Sequence, residues 1–236
     1  MRKSIDFSIV FPVMNQQDHI ERVISEYHKI LTQNKYRFEL IPVVNGTHDK
    51  SYQICKSVAE KLPNVYTYEL KAGGYGLGIL HGIKHSRGKY ICYLNCARIK
   101  AKDLVQALNL FEQHPKHVIH GVRIQRENTS RSLGSIMYNT VCKMLFSISS
   151  RDINGNPNIF SRNNFEQLQL SYLNSMIDLE LLDKAKKLNI PISEIEIFDY
   201  TRHGGISTSN FKTIFRLMKE VSQYWINTRL IHKDRL

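Results

Sequence analysis

The sequence predicts an α/β fold: one domain built on a mostly parallel, doubly wound sheet with helices on its faces. Three observations carry that expectation. Short β-rich apolar runs alternate with segments of 3.6-residue periodicity through the first half of the chain. The 236 residues are 42% hydrophobic and 23% charged, the composition of an ordinary globular chain long enough to bury a core without disulfides or structural metal. No internal repeat, low-complexity tract or linker divides it.

The elements follow in order. Phe7–Pro12 reads as a buried strand closed by Pro12, and Ile20, Val23, Ile24, Tyr27 and Leu31 mark an amphipathic helix behind it. Phe38–Val44 is the next strand, ended by Asn45-Gly46, with a helix marked by Ile54, Cys55, Val58, Ala59 and Leu62. A third strand, Val65–Leu70, leads into the glycine-rich stretch 71–78 and a helix to about Ser86. Tyr90–Leu94 is a fourth strand, followed by a helix over 102–113. The second half is less regular: strands at Val118–Val122, Ile159–Ser161 and Ile192–Phe198, and helices at Ser135–Phe146 and Ile177–Lys187. A polar loop over 200–207 precedes a basic amphipathic helix that occupies 211–236.

Charge narrows the partners. Lys and Arg outnumber Asp and Glu by 33 to 21, a net +12, which suits a polyanion such as nucleic acid, anionic lipid or a phosphorylated small molecule. Nucleic acid is set aside, because no recognition-helix motif, zinc spacing or RNP-like aromatic pattern accompanies the charge. Apolar runs fall far short of the roughly 20 residues that span a bilayer, and Asp6, Pro12 and Asn15 interrupt a signal-peptide reading. The expected location is the cytoplasm, free or peripheral at the inner face of a membrane. Cys55, Cys92, Cys96 and Cys142 form no C-x-x-C pair and read as reduced, buried thiols.

In open α/β sheets ligands bind beyond the carboxyl ends of the strands. That rule selects 12–17, 44–49 and 95–100, where Asn15, Asn45 and Asn95 open the loops. Asn also makes turns and caps helices, so a purely structural role stands beside the binding one. Gly73-Gly-Tyr-Gly-Leu-Gly78 lacks the G-K-[ST] of a P-loop; it either approaches a phosphate or makes a tight turn.

Ser8–Gln17 resembles the SIVIPVYNEE opening of family 2 glycosyltransferases, and Val43–Asp49 is similar to their VDDGSTD turn. Lys71–Gly78 with Gly82 and Arg87–Tyr90 resembles their N-x-G-x-G-x-A…A-x-G-D-Y segment. Asp152–Arg162 is similar to the DINAQPKLFSR stretch of the branch related to polyprenyl- and dolichyl-phosphate sugar synthases, as are 178–185 and 202–207 to its D-x-E-L-L-x-K-A and R-x-x-G-x-S. The resemblance covers about 5–210 and implies one GT-A, Rossmann-like domain, with a nucleotide-sugar half over 1–115 and an acceptor half over 116–210. It implies an enzyme that moves a sugar from a nucleotide-diphosphate sugar to a glycan or lipid-phosphate acceptor, with inversion. On the nucleotide, the resemblance places Pro12, Met14 and Gln16 at the first loop, Val44 where a base is read, and Gly74 and Gly76 close by. Arg202 falls where a cation meets the pyrophosphate, and Asp152, Arg162, Asp178 and Glu180 on the acceptor and sugar side.

The departures are as informative. Where the family carries an Asp-x-Asp that holds Mg²⁺ or Mn²⁺, this chain reads Asn95-Cys96-Ala97, followed by Arg98. An amide and a methyl group supply no anionic oxygens, so either metal is a doubtful cofactor here. The expectation is metal-independent transfer, with Arg98, Arg202 and His203 as a cationic clamp on the leaving diphosphate. Asp152, Asp178 and Glu180 are the candidate bases, needed for a sugar hydroxyl but not for an already ionised lipid phosphate; for Asp178 and Glu180, two apart at a helix start, a purely structural role stands beside that one. The resemblance to the lipid-phosphate branch places Arg123, Arg126 and Arg131 beside the acceptor, where they suit an anionic headgroup; a solvated basic loop is the alternative reading. The alternative is a non-catalytic GT-A domain that binds a nucleotide sugar or a partner enzyme.

Overall fold

The computed structural model describes residues 5–124, 129–198, 203–204 and 211–228. Its elements are β1 (Phe7–Val13), α1 (Ile20–Gln33), β2 (Phe38–Asn45), α2 (Ser51–Lys61), β3 (Tyr68–Leu70), α3 (Tyr75–Lys84), β4 (Tyr90–Tyr93) and α4 (Ala101–Gln113). The second half adds β5 (Val118–Arg123), α5 (Thr129–Phe146), β6 (Asn158–Ser161), α6 (Arg162–Leu168), α7 (Met176–Lys187), β7 (Ile192–Ile197) and α8 (Phe211–Ile226).

Seven strands form one sheet in the order β3-β2-β1-β4-β6-β5-β7. Only β6 runs against the rest, pairing antiparallel with both β4 and β5. The mostly parallel α/β class expected from the alternation is what the chain adopts. Along β1 the side chains alternate between two cores: Phe7, Ile9, Phe11 and Val13 join Tyr27, Leu31 and Phe111 on one face. Val10 joins Ile79, Ile83 and Leu181 on the other. Both faces are covered, which is why the central strands read as unbroken apolar runs.

Local differences from the expectations have physical reasons. β1 continues past Pro12 to Val13. Val10 accepts from Leu94 N–H, so Pro12 faces the same side, beyond the last residue paired with β4, and its missing N–H removes no ladder bond. Val65 contributes only an isolated bridge to Leu40, leaving β3 three residues long. α6 was not anticipated; its seven residues are too few for a periodicity, although Ser161 caps it by accepting from Asn164 N–H. α5 begins six residues before the expected Ser135.

A third core joins Tyr138, Cys142 and Phe146 of α5 to Leu179 and Leu182 of α7 and to Val221 and Tyr224 of α8. Part of the apolar face of the C-terminal helix is therefore spent on the domain itself, and Tyr224 Oη donates to buried Asp183 at 2.9 Å.

Candidate active site

The loops after β1 and β2 are laced together by side chains that satisfy backbone N–H groups. Asn15 adopts φ 52°, a left-handed conformation Asn tolerates. Its Oδ1 accepts from His48 N–H and Thr47 Oγ1, and its own N–H donates to Thr47 Oγ1 at 2.9 Å. Gln16 N–H donates to Ser51 Oγ and Gln17 N–H to Asp49 Oδ2. Burial pushes the Asp49 carboxyl upward, but its bonds from Ser51, Gln17 and Thr47 outweigh that and hold it below its ordinary value.

Val44 lies wholly inside the core, so its side chain is not presented to a base. Asn45 is buried and donates from Nδ2 to Gly74 O at 2.6 Å, tying the end of β2 to the glycine turn. Gly74 has φ 154°, and a Cβ there would lie 2.5 Å from Leu173 O; one on Gly76 would lie 2.1 Å from Tyr172 O. These glycines are required because the 172–174 backbone rests directly on them. Pro12 is half-buried against Gly78, and Met14 is 41% exposed at the mouth of the edge.

The loop after β4 brings the third segment in. Asn95 Oδ1 accepts from Ala97 N–H, an Asx turn, while Cys96 and Ala97 are buried and Arg98 is half-buried. Cys96 Sγ contacts Gln16 Oε1 at 3.2 Å, so Gln16 links the first loop to the position of the Asp-x-Asp. His203 returns from after β7 and docks here: its N–H donates to Ala97 O at 2.8 Å and its ring nitrogen Nε2 to Ile99 O at 3.0 Å. Burial lowers the His203 pKa; Lys100 and Arg22 lower it further. Its two bonds to Ala97 O and Ile99 O make His203 an anchor of this loop. Arg202 and Arg126 lie outside the described residues, as does the side chain of Arg131.

Mg²⁺ and Mn²⁺ are hard ions that recruit anionic oxygen. The donors at this loop are an amide oxygen already used in a turn, a buried thiol and a methyl group, which do not fit such an ion.

On the other side of the edge the three candidate bases are all buried and committed. Asp152 receives both Nε and Nη2 of Arg123 as a bidentate pair. Asp178 Oδ1 accepts from Tyr93 Oη at 2.8 Å, and burial pushes its pKa up to about 8 against the opposing effects of Tyr93 and Arg123. Glu180 accepts from Ser171 N–H and Oγ, Tyr172 N–H and Lys184 Nζ, all within 3.0 Å. It therefore holds the 171–174 loop that lies on the glycine turn.

Arg162 is not brought to this edge. Because β6 is antiparallel, its first residue Asn158 lies beside Tyr93 at the carboxyl end of β4, and its last, Ser161, beside Tyr90 at the amino end. Arg162 follows and bonds Gly88 O and Ser86 Oγ at the far edge. Arg87-Gly88 is also structural: buried Glu39 accepts from Arg87 N–H and Ser8 Oγ, and a Cβ on Gly88 would lie 2.5 Å from Ser8 Oγ.

Sequence reasoning passed over Thr47, His19, Tyr93, His120 and Asn158. His120 is fully buried, with Nδ1 at 2.5 Å from Asn158 Oδ1 and Nε2 at 2.6 Å from Asp152 O, while Asn158 Nδ2 donates to Gly155 O. A polar residue inside an apolar run, as His120 is within Val118–Val122, was the available signal.

Comparison with known proteins agrees with this architecture. The family model described as glycosyl transferase family 2 matches residues 8–169. A dolichyl-phosphate beta-glucosyltransferase of Dictyostelium discoideum is 22% identical over 240 residues, covering 92% of this chain and 73% of the relative. The dolichyl-phosphate beta-glucosyltransferase ALG5A of Trichomonas vaginalis is 22% identical, covering 82% and 65%. Among solved structures, glucosyl-3-phosphoglycerate synthase from Mycobacterium tuberculosis, in complex with Mn²⁺, UDP-glucose and phosphoglyceric acid, superposes with TM-score 0.73. At 12% identity over 94% of this chain and 79% of that one, this is a likeness of fold, which is GT-A. With its family model matched over most of its length, the chain belongs to glycosyl transferase family 2 and is a glycosyltransferase.

Proposed function

We propose that this enzyme transfers a sugar, with inversion, from a nucleotide-diphosphate sugar to the phosphate of a lipid acceptor, without a divalent metal. The observation that carries the acceptor class is the state of Asp152, Asp178 and Glu180: each is at most 2% exposed and each is internally bonded. A sugar hydroxyl requires a base to take its proton, whereas a phosphate oxygen arrives ionised. The relatives named for dolichyl phosphate support the same class.

Departure of the nucleotide diphosphate develops negative charge beside the loop after β4, where Arg98 and Lys100 stand. Fixed cations stabilise that charge in the transition state, the task a divalent ion performs in other enzymes. A lipid acceptor also accounts for the exposed apolar side chains near this edge. Met14, Ile124, Leu173 and Phe198 follow strand ends or rest on the glycine turn, and Ile136 and Met137 lie on the first half of α5. Such side chains beside a net charge of +12 suit peripheral contact with an anionic bilayer. No helix among the described residues is long and apolar enough to cross one.

The test is transfer from UDP- and GDP-sugars to polyprenyl phosphate in anionic vesicles, in EDTA and in Mn²⁺, with the product anomer read by NMR. Inverted product at equal rates in both buffers is expected. Transfer only to glycan hydroxyls would overturn the acceptor, and activity restored by Mn²⁺ alone would overturn metal independence.

A further inference from the structure

The contacts around His19 form a closed circuit that no motif announced. Cys96 Sγ meets Gln16 Oε1 at 3.2 Å, and the same oxygen lies 3.1 Å from His19 Nε2. Asp18 Oδ1 holds the other ring nitrogen at 2.5 Å, which fixes the plane of the imidazole. That ring stacks on His203, with centroids 6.4 Å apart and planes 19° from parallel. His203 closes the circuit by bonding Ala97 O and Ile99 O in the loop where it began. Arg22, one turn along α1, donates to His203 O at 3.3 Å. Gly204 completes the fit: a Cβ there would lie 2.5 Å from Asp18 Oδ2 and 2.8 Å from His19 Nδ1.

We infer that Asp18, His19 and Arg22 at the start of α1 are positioning residues that dock the 203–204 segment onto the Asn95–Ile99 loop and so set the donor-diphosphate side of the site. The inference rests on the proposed function for the identity of the ligand. It goes beyond it in assigning the task of fixing that loop to an imidazole stack and two backbone-directed bonds. Two features make the dock specific. His19 is buried and faces two partners across its ring, so it has one orientation. The segment approaches so closely that a side chain at 204 would displace it.

The experiment measures UDP and GDP affinity by calorimetry, and donor KM and kcat, for the full chain and the variants Gly204→Val, His19→Phe and Arg22→Ala, with thermal midpoints in parallel. Gly204→Val is expected to weaken nucleotide binding by about tenfold or more, equivalent to roughly 1.4 kcal/mol. His19→Phe keeps a ring against His203 but loses Asp18 and Gln16, and should raise donor KM by a smaller factor with kcat and thermal midpoint held. Arg22→Ala, altering a side chain that is 53% exposed, should raise it least. Nucleotide affinity within twofold of the parent in all three would overturn the dock. Should Gly204→Val fail to fold, the other two decide, and unchanged KM in both overturns it. A parent chain that binds neither nucleotide overturns the donor-site reading itself, an outcome visible before any variant is made.

Discussion

The two sides of the carboxyl edge are built from different chemistry. Around β1 and β2, Asn15, Thr47, Asp49 and Gln17 hold the loops by accepting backbone N–H groups at half-exposed or exposed positions. Around β5, β6 and α7 buried carboxyl groups pair with cations nearer the surface: Asp152 with Arg123, Glu180 with Lys184, Asp183 with Lys187. Local bonds near water are individually modest, whereas a buried charge without its partner is costly. Substitutions on the first side are thus expected to change stability little, and those on the second to change it more. Asp152, Asp178 and Glu180 are buried and bonded within this second side.

Substitutions can break this contrast. The largest effect is expected from Arg123→Met, which leaves Asp152 buried without its bidentate partner and should cost about 3–5 kcal/mol in denaturant unfolding. Adding Asp152→Asn should recover much of that loss; if it does not, the pair is not what the acceptor side depends on. In the loop after β4, Arg98→Ala is expected to act on catalysis, with kcat falling by about 10²-fold or more. Equal kcat in that variant would remove Arg98 from the transition state.

Asp178 gives a pH signature. Its carboxyl is neutral in the fold up to about pH 8 but ionises near its ordinary, low pKa when unfolded. The folded state then binds the extra proton, so its contribution is fully present below the unfolded pKa and is lost as pH rises through about 8. Asp178→Asn should flatten the decline of the thermal midpoint across that window and gain most at its alkaline end. A midpoint–pH curve parallel to that of the parent would show that Asp178 does not titrate there. The smallest effect is expected from Asn15→Ala, about 1 kcal/mol from lost loop bonds in the presence of a strained φ. A loss as large as that for Arg123→Met would erase the distinction between the two sides.

Much of this architecture was legible because it is local. Strand–helix alternation, the asparagines that open each loop and the glycine turn follow from periodicity and turn chemistry over a few residues. The family followed from several such segments in a fixed order. Roles that depend on direction in space were not legible. Arg162 sits within a matched motif, yet the reversal of β6 carries it to the opposite edge. Val44, which the resemblance sets where a base is read, lies in the core.

The sequence by itself determined that this is a parallel-sheet glycosyltransferase whose Asp-x-Asp position is neutral and followed by arginine, because composition, spacing and residue type are properties of the chain. Only the tertiary structure decided which polar groups reach one another. Glu180 clamps a loop, Asp178 lies beneath Tyr93, and His203 stacks on His19 from 184 positions away. Hydrogen bonds and ion pairs act over a few ångströms between residues far apart in sequence, so their partners become known only once the sheet has fixed where each loop ends.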